Sequence, residues 1–216
     1  MTTESIDPGR GFDRMFAGAN SAFVDRFGRS RPLDVDQWRA DPDAADLELF
    51  VAPCTGPTID IGCGPGRIAA ALSERSIHAM GIDTSMEAIR QARERGAIAM
   101  LRDVFDHLPG EGRWDFALLA DGNVGIGGSP VVLLRRVAQL LRPGGSIIVE
   151  VGAHGLGLTY ERIRLRVDSH LSAPFNWASV GLDAIGSVAA ASGLDVVRTH
   201  TVGNRHAATL RTRAAT

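Results

Sequence analysis

The chain has 216 residues, of which 44% are hydrophobic and 22% charged, with a formal charge of −2. Such a chain suits one α/β domain with a proper core, and its near-neutral charge offers no broad basic surface for nucleic acid. Its two cysteines, Cys54 and Cys63, are too few for a disulfide framework or a zinc site. No run approaches membrane-spanning length and the first residues form no leader, so a cytoplasmic protein is expected.

The domain expected is residues 53–216, preceded by a cap or lid over 1–52. Within that cap, Phe12, Phe16, Phe23 and Phe27 are spaced so that they could share one helical face. Residues 21–35 read equally as strand, Gly28-Arg29 turn and strand, and the hairpin is the preferred reading. Residues 42–50 are expected to form a helix packed on the sheet.

Residues 58–66, Thr-Ile-Asp-Ile-Gly-Cys-Gly-Pro-Gly, combine a short buried strand, an acid and three alternate glycines before a helix. Glycine has no Cβ, so Gly62, Gly64 and Gly66 allow a tight turn and close approach of a ligand, while the helix from Arg67 aims unpaired N–H groups at it. A dinucleotide turn would need glycine at position 67, where this chain has arginine. Further strands are expected at 77–82, ending at Asp83, then at 97–101, 114–120 and, after a helix over 131–141, through 151. Ser129-Pro130 supplies a cap and a first-turn residue for that helix. A helix at 180–192 and a hairpin of 194–202 and 206–212, turning at Gly203-Asn204, complete the pattern.

The run Asp-x-Gly-x-Gly-x-Gly, with acids at the next two strand ends and Leu-Arg-Pro-Gly-Gly before the fifth strand, resembles the class I S-adenosylmethionine-dependent methyltransferases over about residues 55–151. The resemblance implies a doubly wound, seven-stranded, mostly parallel sheet with an antiparallel C-terminal strand and helices on both faces. It implies S-adenosyl-L-methionine as cofactor and S-adenosyl-L-homocysteine as product. Cofactor residues would be Asp60 at the amino-acid end, Gly62, Cys63, Gly64 and Gly66 in the turn, and Asp83 with Thr84 at the ribose. Asp103 and Val104 would serve the adenine, and Asp121 would lie nearby. The cap would then exclude water from the methyl group, or simply bury a sheet edge.

Chemistry is expected in the loops after the fourth and fifth strands. The first of these, residues 121–129, has four glycines among nine residues. It lacks the Asn/Asp-Pro-Pro-aromatic run of the family's nucleic-acid and protein amino methyltransferases, which argues for a small-molecule acceptor. Candidate catalytic residues are Asp121, Asn123 and His154, the last as a base for an acceptor hydroxyl. Tyr160, Arg162 and Trp177 are candidates for holding the acceptor. Arg162, Arg164 and Arg166 alternate with apolar residues, which reads as a strand whose guanidiniums either grip an acidic acceptor or face solvent. No histidine or acid spacing suggests a metal. Oxygen is the first choice of acceptor atom. A non-catalytic S-adenosylmethionine-binding module and a nicotinamide-dependent oxidoreductase are the alternatives.

Overall fold

A computed structural model describes residues 5–212. Helix α1 (Pro8–Phe16) starts where Asp7 accepts the Gly9 N–H and Pro8 occupies the first turn. Strands β1 (Ser21–Val24) and β2 (Ser30–Pro32) pair antiparallel around a tip where Asp25 accepts the N–H groups of Phe27 and Arg29. The hairpin reading therefore holds, with Phe12 and Phe16 on the helix before it. Short helices α2 (Val35–Arg39) and α3 (Ala44–Asp46) follow, the second opened by a capping box of Asp43 and Asp46 and continued by a π turn over Leu47–Val51. This is the helix expected at 42–50.

The central layer alternates strand and helix: β3 (Thr58–Ile61), α4 (Arg67–Glu74), β4 (Ala79–Asp83), α5 (Met86–Glu94), β5 (Ala99–Leu101), β6 (Trp114–Leu119), α6 (Pro130–Leu140) and β7 (Leu141–Val151). The chain then gives β8 (Leu158–Val167), β9 (His170–Leu171), β10 (Phe175–Val180), α7 (Ile185–Ala191), β11 (Leu194–Val202) and β12 (Arg205–Thr212). The seven-stranded sheet runs β11-β12-β7-β6-β3-β4-β5, with β3 to β7 mutually parallel and β12 antiparallel to both neighbours. The central strands β3 and β4 are buried on both faces because both are covered. Ile59, Ile61, Leu119 and Val149 pack with Leu133, Leu134 and Val188 of α6 and α7, while Leu118 and Ile148 pack with Phe50, Ile68 and Leu72. The strand order reverses between β3 and β6, which sets the ligand crevice at the C-terminal ends of those strands.

A second, antiparallel sheet, β10-β8-β1-β2 with β9 on β8, has no counterpart in the sequence-based expectation. It joins the N-terminal hairpin to a stretch more than a hundred residues later, with Ser21 opposite Val167 and Phe175 opposite Ile163. Its pairing corrects the helix expected at 180–192, which begins only at Ile185, because residues up to Val180 are held as strand by β8. Ser129 occupies the N-cap position of α6, yet its side chain makes no capping bond, leaving Pro130 to shape that turn. The arginine row does lie on a strand. Arg166 donates to Ser30 Oγ at 2.8 Å and Arg164 to the Ser172 carbonyl at 3.2 Å, both within this second sheet.

Gly66 sits where α4 meets α5, at φ 81°, and a Cβ there would lie 2.7 Å from the Ala92 Cβ and 3.0 Å from its Cα. Both the backbone angle and the helix contact demand glycine. Gly66→Ala is expected to lower stability by about 1–3 kcal/mol, the usual penalty for overpacking, read as a reduced urea midpoint with unchanged slope.

Candidate cofactor and acceptor site

The main cavity, about 470 Å³, opens over the C-terminal ends of β3, β4 and β6 and under the second sheet. Its floor is the turn Gly62, Cys63, Gly64 and Pro65, with Gly62 and Gly64 at positive φ. A Cβ at Gly62 would come within 2.6 Å of Asn123 Nδ2, because that amide donates to the Ile61 and Gly62 carbonyls at 3.0 and 2.9 Å. Asn123 thus fastens the loop after β6 onto the glycine turn.

Asp83 ends β4 in the cavity wall and accepts the Gly64 N–H at 3.0 Å and the Ser85 N–H at 2.8 Å. Burial raises its pKa, against the pull of those two N–H donors. Ser85 also caps α5, accepting the Ala88 N–H, while its hydroxyl donates to Asp13 of α1 at 2.7 Å. Helix α1 is thereby tied to the loop that carries Asp83. Thr84, Asp103 and Val104 line the same end, where Asp103 accepts the Phe105 N–H and Val104 is buried.

Arg67, noted in the sequence only as a missing glycine, proves central. It is 3% exposed and forks onto Asp46, Nε to Oδ2 at 2.7 Å and Nη2 to Oδ1 at 3.0 Å, while Nη2 also donates to Asp121 at 2.9 Å. Arg205 of β12 donates to Asp46 at 2.8 Å and to both Glu150 oxygens at 2.8 and 3.0 Å. Glu150 in turn accepts the Asp121 N–H at 2.7 Å. Burial alone would raise the Asp46 pKa, but hydrogen bonds and charge from Arg67 and Arg205 outweigh it and leave it lowered. Asp121 shifts the other way, raised by burial despite Arg67. Asp46 and Arg205 lie outside every motif in the sequence, so periodicity and spacing gave no signal for them. An arginine at the first, buried turn of an apolar helix was the one available hint.

The roof is aromatic. Phe23 and Trp177 have ring centroids 5.6 Å apart, Phe23 and Phe175 6.1 Å, and Phe12 and Phe175 6.0 Å. All four rings line the cavity, as do Phe16 and Trp38. The loop after β6 reaches this roof at Gly125, where a Cβ would lie 2.6 Å from the Trp177 ring nitrogen.

Of the residues singled out in the sequence, Gly62, Cys63, Gly64, Asp83, Thr84, Asp103, Val104, Asp121, Asn123 and Trp177 all line this cavity. Gly66 instead seats α4 on α5. Asp60 is buried and is not in the wall; burial pushes its carboxyl up to about 7, with Arg67 opposing and Asp121 adding to the shift. Cys63 is likewise raised by burial, so it is a packing thiol rather than a thiolate. His154 is exposed in the segment between β7 and β8, outside the lining. Tyr160, 62% exposed, and Arg162 pair with Ala178 and Asn176, so strand alternation turns them to the face opposite Trp177. The structure does not bring these three residues to the cavity.

A doubly wound sheet carrying an inserted antiparallel strand, with acids and glycines gathered at its switch point, defines a nucleoside-binding Rossmann-like fold. Residues 59–145 match the family model described as a methyltransferase domain. The chain is similar over 99% of its length to all of a S-adenosylmethionine-dependent methyltransferase from Bacteroides fragilis, determined with S-adenosyl-L-homocysteine, at 22% identity and a TM-score of 0.80. It is also similar to the Burkholderia thailandensis 1,6-didemethyltoxoflavin-N1-methyltransferase, with 20% identity, 84% of this chain and 82% of that one covered, and a TM-score of 0.62. A third likeness is to an O-methyltransferase of neocarzinostatin biosynthesis, with 19% identity, 79% of this chain and 53% of that one covered, and a TM-score of 0.58. Residues 59–145 thus match a methyltransferase domain, and the chain as a whole shares the fold of a S-adenosylmethionine-dependent methyltransferase.

Asp60 has a measurable signature. Its folded pKa, about 7, lies above its ordinary 3.8, so the folded protein holds a proton that the unfolded chain releases. That contribution is complete below about 4 and lost as pH rises through about 7. Asp60→Asn is expected to gain stability over the parent progressively across this window and hold the gain above it, as read from urea midpoints at successive pH values.

Proposed function

We propose that the chain transfers a methyl group from S-adenosyl-L-methionine to a small-molecule acceptor, with oxygen as the preferred acceptor atom and the cytoplasm as its place of action. The observation that carries this reading is the continuity of the cavity from the glycine turn and Asp83 to the aromatic roof. A site meant only to bind the nucleoside would need the first half alone, which disfavours a regulatory module. A nicotinamide dinucleotide is disfavoured by Arg67, whose side chain is committed to Asp46 and Asp121 where that turn would need glycine. Two of the similar structures hold 1,6-didemethyltoxoflavin and 1,4-dihydroxy-2-naphthoic acid as bound small molecules, in an N1- and an O-methyltransferase respectively. They support a small acceptor and leave the atom to experiment. No helix among the described residues is long and apolar enough to cross a membrane.

The residues present fit the cofactor. Gly62 and Gly64, at positive φ, shape the turn that floors the cavity, and a carboxylate at the end of β4 suits a pair of ribose hydroxyls. When bound, the cofactor supplies an electrophilic methyl on a sulfonium, whose carbon–sulfur bond breaks as the acceptor lone pair forms the new bond. The protein's part is to orient and to exclude water. Asp83 and Thr84 would hold the sugar, Asp103 and Val104 the base, and the turn of Gly62, Cys63 and Gly64 the amino-acid end. Asp121 and Asn123, anchored by Arg67 and the turn carbonyls, would set the loop against which the acceptor rests. Residues 5–52 with β8 and β10 would close the cavity from above. Alignment of two reactants supplies roughly 7–11 kcal/mol, enough that no residue has to act as base.

Two outcomes test this reading. Asp83→Ala should weaken S-adenosyl-L-homocysteine binding at least about tenfold by calorimetry, since a hydrogen bond to a charged group contributes on the order of 1.5–3 kcal/mol, with the cooperative melt retained. His154→Ala, outside the cavity, should leave both cofactor affinity and methyl-label transfer to a metabolite extract unchanged.

A further inference from the structure

The acceptor end of the cavity has a distinct chemistry. Its roof is built from the rings of Phe12, Phe23, Phe175 and Trp177, and its side from Ile126 and Gly127 of the loop after β6. The rings stand at steep mutual angles, 71° between Phe23 and Phe175 and 86° between Phe175 and Trp177, so they offer both faces and edges to the space between them. Ring faces are electron-rich and ring edges electron-poor, and such a corner favours a guest ring that can meet both. At Gly127 the wall is bare backbone.

Polar partners at this end are scarce and mostly spent. Arg31 is paired with Glu161 at 2.7 Å, and the Asn123 amide nitrogen is committed to the Ile61 and Gly62 carbonyls. Asp121, held by Arg67, and Asn176 add to the polar lining here. A sugar would strip its hydroxyls of water without finding replacements, at a penalty for each unpaired group. The chain contains no lysine, the cavity is lined by no histidine, tyrosine or glutamate, and of its charged lining residues Arg67, Asp83 and Asp121 already hold protein partners.

We infer that the acceptor is a flat aromatic or heteroaromatic ring, selected by stacking and edge contacts with Phe23, Phe175 and Trp177. The inference rests on the methyl-transfer reading above and names the substrate class of that same site. Trp177 is the chief specificity residue. It touches Phe23 and Phe175 in the roof and also abuts Gly125, so it is held from two sides.

The test uses full-length protein saturated with S-adenosyl-L-homocysteine, which separates this inference from the reading beneath it: if that nucleoside does not bind, methyl transfer itself fails, whereas everything that follows concerns the acceptor end. Naphthol, decahydronaphthol and methyl glucoside are titrated by calorimetry. The first two bury nearly the same apolar surface, so their difference reads the ring electrons rather than burial. Naphthol is expected to bind about tenfold more tightly than decahydronaphthol, with the glucoside weaker still. In Trp177→Leu and in Phe23→Leu the preference for naphthol should collapse while nucleoside affinity holds, and Trp177→Phe should restore most of it. Equal or tighter binding of the saturated ring or the sugar, no binding of naphthol, or a preference that survives both leucine variants would overturn the inference.

Discussion

Two buried guanidiniums hold this site together. Arg67 and Arg205 share Asp46 between them, with Asp121 at one end of the chain of contacts and Glu150 at the other. Each charge is paired, as burial demands, and removing one partner from such a set typically costs about 3–5 kcal/mol because the remaining charge is stranded. More telling is what the partners belong to. Asp46 comes from the N-terminal segment, Arg67 from the first turn of α4, Asp121 and Glu150 from the ends of β6 and β7, and Arg205 from the C-terminal hairpin. One electrostatic knot therefore fixes the glycine turn after β3 relative to the loop after β6.

Around that knot the molecule divides its labour between two sheets. The parallel sheet delivers acids and glycines at strand ends, where its reversal of order opens a crevice. The antiparallel sheet delivers rings. Contacts that cross between them are specific: Asp13 on Ser85, the Gln91 amide on the Phe16 carbonyl, and Gly125 under Trp177. The glycine-rich loop after β6 owes its composition to this crowding, since side chains at Gly125 or Gly128 would run into β10.

How much of this was legible in the sequence depended on the range of the interactions. The central strands and their acids announced themselves through local runs, and Asp83, Asp103 and the glycine turn stand at the strand ends where the motif put them. The C-terminal hairpin was equally local, with Gly203 at positive φ in its turn. What escaped was every feature made by pairing across the chain. Residues 175–179 gave no strand signal of their own because their partner lay in β8, and β8 was legible as a strand bearing the arginine row but not in its pairing. Tyr160 and Arg162 were plausible acceptor residues until the register of β8 against β10 turned them to the other face from Trp177. Asp60 was legible as an acid near a ligand, but its depth was not, and depth is what raises its pKa.

The union of β1 with β8 carries a consequence for biogenesis. The hairpin of residues 21–32 emerges from the ribosome early, with Phe23 and its neighbours awaiting partners that are still to be synthesised. Pairing over so great a separation is a slow, high-contact-order event, whereas the βα units between can assemble from near neighbours. The catalytic chamber is thus the last part of the protein to be finished, and a nascent chain halted before β8 would have a floor but no ceiling.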